Sequence, residues 1–119
     1  MRIVSRLEFL KMPSGTLFQE CEHEWGFGDM QIKYDSLIFH DDGDGDFVCM
    51  KFTEIDADSS EELFRRIEEM AESGASYPLD LEATQRDGCL IRSAKYLVYE
   101  RHDVVALRDF FVKLVDEAA

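Results

Sequence analysis

The sequence predicts a single α+β domain over residues 1–119, with a largely antiparallel sheet of four to six strands. Two-residue alternation of apolar and polar side chains is concentrated in the first half of the chain. Helical spacing occurs near the N-terminus, in the middle and at the C-terminus. Clustered strands with flanking helices are typical of α+β domains. A chain of 119 residues, 45% of them hydrophobic, is long enough to bury one core.

A short helix is predicted near the N-terminus, over residues 6–11. Ser5 and Glu8 have the spacing of a capping box, in which each side chain bonds the backbone of the other residue. Pro13 should end the helix, because the residue before a proline avoids helical backbone angles.

Strands are predicted where apolar and polar residues alternate. The predicted strands span residues 16–22, 30–34, 37–39, 47–55 and 94–100, with a turn-rich segment at 25–29, an extended stretch from 77 and a turn at 86–88. The segment 47–55 has the strongest pattern, with Val48, Met50 and Phe52 on one face.

Two longer helices are predicted, the first over residues 59–73. Ser59 and Glu62 form a second capping-box spacing, and Gly74 stands where a helix would end. The apolar stripe of this helix consists of Leu63, Phe64, Ile67, Met70 and Ala71.

The last helix is predicted over residues 104–117, with Asp103 as its cap. Its inward face should consist of Val104, Leu107, Phe111 and Leu114, and Val105, Phe110 and Val115 widen the stripe. Such a wide stripe indicates a helix that is well buried or that also serves an interface.

The charge of the chain is strongly negative, with 26 acidic against 13 basic residues and a formal net charge of −13. A field of this sign repels nucleic acid and anionic membranes, so neither is an expected partner. The chain has no apolar run of the length of a membrane span and no apolar region typical of a signal peptide, which predicts a cytoplasmic protein. Its three cysteines should be reduced, partly buried thiols.

The loop Asp42–Asp46 resembles the start of a calcium-binding EF-hand, with acids at its first, third and fifth positions. Phe47 then replaces the required glycine, and Thr53 replaces the bidentate glutamate. A solvated hairpin loop is therefore the better interpretation, with divalent-cation binding as the alternative. Because no metal-ligand spacing or nucleophile–base motif is complete, we expect no metal, no cofactor, no catalytic residues and no enzymatic activity.

Two surfaces are candidates for binding. The first is an anion or nucleotide pocket, in which aromatic rings stack on a base and cations pair with phosphate. Its expected contacts are Trp25, Lys33, Arg92, Lys95 and Tyr96. Ordinary core packing of the aromatic residues is the simpler alternative.

The second candidate is an acidic face within residues 41–72, where twelve acids accompany three bases. Its carboxylates could replace the phosphates of a nucleic acid in the basic groove of another protein. The expected contacts are Asp56, Asp58, Glu61, Glu62 and Glu69. An ordinary solvated helix face is the simpler alternative.

The opening segment of residues 5–18, SRLEFLKMPSGTLF, resembles a recurring start in a family of small, mostly uncharacterised bacteriophage accessory proteins. Similar segments are GDMQIK at 28–33, ESGAS at 72–76, PLD at 78–80, RDG at 86–88 and YLVYE at 96–100. The sequence departs from that pattern at residues 90–93, where the family more often carries acids. The resemblance implies an anti-defence protein in the host cell cytoplasm.

These observations predict a homo-oligomeric protein that sequesters a small immune signalling nucleotide without cleaving it. The alternative is an acidic mimic of nucleic acid that blocks a basic groove of a bacterial defence complex. A phage housekeeping or assembly protein is the second alternative.

Overall fold

A computed structural model describes residues 1–23, 25–39, 45–52, 54–88 and 91–118. The strands are β1 (Arg2–Ser5), β2 (Thr16–His23), β3 (Gly26–Phe27), β4 (Gln31–Ile38), β5 (Gly45–Lys51), β6 (Glu54–Ile55), β7 (Leu79–Asp80), β8 (Thr84–Arg86) and β9 (Lys95–Val98). The helices are α1 (Arg6–Leu10), α2 (Ser60–Ser73) and α3 (Arg101–Ala118). The predicted α+β class with an antiparallel sheet is confirmed.

The main sheet has the strand order β1-β9-β2-β4-β5-β8, and β3 pairs with β2. Every described pairing in it is antiparallel. Strand β9 inserts between β1 and β2, so residues 2–5 pair with residues 95–98. Strands β6 and β7, which flank α2 in the chain, form a separate two-stranded sheet.

Four buried aromatic rings form the centre of the core. Phe9 of α1 stacks on Tyr96 of β9 at a centroid distance of 4.1 Å and meets Phe18 and Phe47 edge-on. Phe47 and Tyr96 have centroids 6.1 Å apart although two strands separate them in the sheet. A flat sheet would hold such strands about 14 Å apart, so the sheet curves around α1.

Helix α1 confirms the predicted N-terminal helix. The Ser5 hydroxyl accepts a hydrogen bond from the Glu8 N–H at 3.2 Å. The buried Arg6 guanidinium donates to the Tyr96 hydroxyl at 2.5 Å and to the Gly45 carbonyl at 2.6 Å. These bonds tie the helix to both sides of the curved sheet.

Two strand predictions were wrong in detail. The two predicted strands 30–34 and 37–39 are replaced by the single strand β4 over Gln31–Ile38, because the pairing with β5 shifts register between Lys33 and Ser36 and lets the strand continue. Residues 47–55 contain the two strands β5 and β6, with Thr53 outside the described residues. The main core lies on the face of Phe47 and Cys49, while Val48 and Met50 share the opposite face, where Met50 is buried and Val48 is half-buried.

Helix α2 confirms the prediction for residues 59–73, whereas α3 begins at Arg101 and not at residue 104. Asp103 lies in the first turn of α3, where its carboxylate accepts from the Glu100 N–H at 2.9 Å and pairs with the amino group of Met1 at 2.7 Å. The predicted inward face of α3 was wrong, because no described residue of α3 is buried. No helix among the described residues is long and apolar enough to cross a membrane.

Candidate functional site: the exposed face of helix α2

Helix α2 is fixed by local capping more than by packing. The Ser59 hydroxyl accepts from the Glu62 N–H at 3.1 Å, and the Glu62 carboxylate accepts from the Asp58 N–H at 3.0 Å. Gly74 ends the helix in the left-handed conformation, with a φ of 72°. No described residue of the helix is buried, although Glu62, Leu63, Arg66 and Glu69 are half-buried.

The apolar stripe of α2 faces solvent. Phe64, Ile67 and Met70 remain 69%, 45% and 38% exposed, and helical spacing places them on one side. Single exposed apolar side chains are ordinary, but a row of three on one helix face is typical of a contact surface. The stripe therefore marks α2 as a candidate docking helix.

Three exposed carboxylates lie along one side of this stripe. Glu61, Glu68 and Glu72 follow each other at intervals of seven and four residues, which places them in one row. None of them makes an ion pair with a described residue, and we call this row the acidic rim. Arg65, four residues after Glu61, pairs with Glu62 and Glu69 instead, so no described base forms an ion pair with the acidic rim and its charges remain available to a basic partner.

The acids on the other side of α2 are already paired. Arg66 contacts Glu62 at 2.6 Å, and Arg65 contacts Glu69 at 2.9 Å. The Asp58 N–H and then the Arg66 guanidinium lower the pKa of Glu62. A hydrogen bond from the Tyr77 hydroxyl is the main cause that lowers the pKa of Glu69.

This pairing revises the predicted acidic face. Asp56, Asp58 and Glu61 are exposed as expected, whereas Glu62 and Glu69 are engaged within the helix. Sequence reasoning missed Glu68 and Glu72 as members of the face. Their spacing from Glu61 was the signal that could have identified them.

Two of the five predicted ligand contacts lie in the core. The Lys33 side chain is 1% exposed, and its ammonium donates to the carbonyls of Met12 and Tyr34, both at 2.9 Å. Burial lowers the pKa of Lys33. Tyr96 is fully buried and accepts the Arg6 hydrogen bond, so neither polar group faces solvent.

The other three predicted contacts lie at one end of the main sheet. Trp25 is 89% exposed in the turn between β2 and β3. Because β9 runs antiparallel to β2, Lys95 at the start of β9 and Arg92 shortly before it lie at the same sheet end as that turn. Lys95 and Tyr96 are successive strand residues and point to opposite faces. The five residues therefore do not line one site.

A carboxyl pair that sequence reasoning missed lies beside the core. Glu20 is hydrogen-bonded to Asp87, and burial followed by that contact raises the pKa of Glu20 to about 7. Burial also raises the pKa of the nearby Cys49 thiol to about 11. The alternation in β2 predicts that Glu20 shares the face of Phe18. No pattern in the sequence predicts that Asp87 lies next to Glu20. The Glu20 carboxyl can therefore hold a proton near neutral pH.

The predicted calcium-type loop is described only at its end. Asp46 is buried in β5, where its carboxylate accepts from the N–H groups of Phe47 and Gly88 and pairs with Arg86. This acid therefore has a structural role. Asp42 and Asp44 lie outside the described residues, as does Cys89. The described part of the chain holds no group of three or more His, Cys, Asp or Glu side chains placed to bind a metal ion.

Comparison of the chain with protein-family models, with curated proteins and with solved structures finds no match. The resemblance to phage accessory proteins therefore stays a prediction.

Proposed function

We propose that this protein is a non-enzymatic, acidic binding protein that docks helix α2 into the basic groove of a partner protein and blocks it. The observation that carries the proposal is the exposed apolar stripe of α2 beside the unpaired acidic rim. This combination replaces the nucleotide-sequestering function as the preferred one, because Lys33 and Tyr96 are buried.

The apolar stripe supports a helix-in-groove mode of binding. In that mode an amphipathic helix inserts side chains spaced three or four residues apart into an apolar groove. Phe64, Ile67 and Met70 have this spacing and are exposed. Aromatic and methionine side chains are also enriched at protein interfaces.

The acidic rim supports a partner of positive charge. Glu61, Glu68 and Glu72 span about 16 Å along the helix axis at 1.5 Å per residue. A groove that binds nucleic acid is lined by lysine and arginine, and a row of carboxylates competes for the same cations. Through the phage resemblance alone, we extend the proposal to a groove in a bacterial defence complex.

Displacement of DNA from a captured partner tests the proposal. The immobilised chain is used to recover bacterial proteins, and each is assayed for binding to a fluorescent DNA duplex by anisotropy. We expect the free chain to displace the duplex. The triple variant Glu61→Gln, Glu68→Gln, Glu72→Gln should need a concentration at least about tenfold higher, because each lost charge contact weakens binding.

A matched control removes three exposed acids elsewhere on the chain, in the variant Asp29→Asn, Asp116→Asn, Glu82→Gln. This control variant should displace the DNA duplex at the same concentration as the native chain. Equal displacement by the native chain and the acidic-rim variant, or failure of every recovered protein to bind DNA, would refute the proposal.

Sequestration of a small nucleotide is the second candidate function. It is favoured by one observation, the grouping of exposed Trp25 with Arg92 and Lys95 at one end of the sheet. An aromatic face and two cations are the groups that recognise a base and its phosphates.

Trp25 is the single tryptophan of the chain, so its fluorescence reports binding directly. Titration with cyclic dinucleotides and ADP-ribose derivatives should change this fluorescence if the second candidate is right. Lys95→Gln should then weaken the effect several-fold, whereas Lys113→Gln on α3 should not. Unchanged fluorescence throughout the panel contradicts nucleotide binding at this site.

A further inference from the structure

The second half of α3 is surrounded by solvent. Every described residue from Arg108 to Ala118 is exposed. The radius of gyration is 16.7 Å, whereas about 13–14 Å is expected for a compact chain of this length. These 11 or so exposed helical residues gain little from tertiary packing, so a surface that covers them would stabilise α3.

The apolar residues of α3 form a coiled-coil seam. Val104, Leu107, Phe111, Leu114 and Ala118 follow each other at intervals of three, four, three and four residues. This is the heptad spacing that places side chains against a second helix of the same kind. Phe110 and Val115 flank the seam, while Val112 lies outside it.

The charge of α3 favours a second copy as its occupant. The helix carries three bases and four acids, which gives 3 − 4 = −1, whereas the rest of the chain carries ten bases and 22 acids, which gives 10 − 22 = −12. Two copies that meet at α3 bring together helices of nearly zero net charge. The acidic rim of α2, by contrast, would repel its own copy.

The exposed apolar area is sufficient for such a pair. The exposed fractions along the seam and its flanks are 43% for Val104, 56% for Phe110, 57% for Phe111, 44% for Leu114 and 69% for Val115. Together they amount to roughly 500 Å² per copy, so a pair covers about 1,000 Å², the lower limit for a specific interface.

From these observations we infer that two copies of the chain pair through α3 as an antiparallel coiled coil. In this register Val104 of one copy lies opposite Leu114 of the other, and Leu107 lies opposite Phe111. The antiparallel direction holds the two bodies of net charge −12 at opposite ends of the pair. A parallel pair would bring them together at the N-terminal ends of the helices, where repulsion is greater. The inference does not depend on the proposed function of α2.

Sedimentation equilibrium tests the pairing. The native chain should be a dimer, and Phe111→Glu should raise the dimer dissociation constant at least about tenfold, because it places two carboxylates in the apolar seam. The matched control Val112→Glu adds the same charge outside the seam and should remain a dimer. Circular dichroism checks that each variant is folded, and Leu114→Glu serves as a second seam variant.

Photocrosslinking tests the direction of the helices. A p-benzoylphenylalanine residue at position 104 should crosslink to the tryptic peptide 114–119 of the other copy, because trypsin cleaves after Arg108 and Lys113. Crosslinks to peptide 102–108 would indicate a parallel pair and overturn the inference. A native chain that stays monomeric at all concentrations, or seam and control variants that behave alike, would also overturn it.

Discussion

At the residue scale, buried groups that serve neither proposed surface determine how strands approach each other. Gly45 is the clearest example, since a Cβ atom at this position would lie 2.2 Å from the carbonyl oxygen of Leu37 in the neighbouring strand. The Gly45 carbonyl also accepts the Arg6 hydrogen bond at 2.6 Å. The close approach of β4 and β5 at this point thus depends on the absence of a side chain at Gly45.

Gly45→Ala should lower the free energy of unfolding by about 1–3 kcal/mol, because the backbone of β4 or β5 must move to admit the methyl group. Urea denaturation followed by circular dichroism measures this change. Gly28→Ala is a matched control, because its Cβ would meet the flexible end of Glu22 at 2.7 Å, and that side chain can move away. Equal losses of unfolding free energy in the two variants would contradict the proposed clash between a side chain at position 45 and the Leu37 carbonyl oxygen.

Glu20 gives a pH dependence of stability with a definite sign. Its pKa is raised from 4.5 to about 7 in the folded chain, mainly by burial, so the folded state binds more protons than the unfolded state between these values. The stabilisation by this proton is complete below pH 4.5 and is lost as pH rises through 7.

Glu20→Gln cannot lose this proton. From pH 5 to pH 8, the native chain should therefore lose about 1–2 kcal/mol more unfolding free energy than the variant does. Urea denaturation at both pH values measures the difference. The exposed control Glu82→Gln should lose as much unfolding free energy between pH 5 and pH 8 as the native chain does. An equal loss in Glu20→Gln and the native chain would contradict the prediction.

At the element scale, local sequence predicted the helices well because their ends are fixed by nearby residues. Ser5 and Ser59 cap α1 and α2 as expected, and Gly74 ends α2. The division of strands was less predictable, because the bulge in β4 arises from its pairing with β5, a contact between separate segments. Periodicity also identified the apolar stripes of α2 and α3 but could not show that both face solvent.

How far each candidate surface could be predicted likewise depends on whether its residues are close in the sequence or come from separate segments. The acidic rim follows from helical spacing within α2, so its members could be read from the sequence once the helix was known. The burial of Lys33 and Tyr96 depends on α1 folding over the curved sheet, which no local pattern reveals. The Glu20–Asp87 pair likewise joins residues on strand β2 and after strand β8.

At the scale of the whole molecule, charge and apolar exposure divide the surface into two different faces. The acidic rim on α2 is suited to a basic partner, whereas the nearly neutral α3 is suited to a second copy. A dimer of this kind presents two α2 helices to the partner. Once one α2 helix of the dimer has bound, the second is held near its own site at a high effective concentration. This linkage strengthens the overall binding although each helix makes the same contacts as before.

The salt dependence of the complex with the captured DNA-binding partner tests the central claim about α2 most directly. Calorimetry at a series of salt concentrations compares the native chain with the variant Glu61→Gln, Glu68→Gln, Glu72→Gln. Affinity of the native chain should fall steeply with salt, and the variant should bind more weakly with a shallower dependence, because screened charge contacts have been removed. Identical affinities and slopes for the two chains would contradict the claim that the acidic rim is the binding surface.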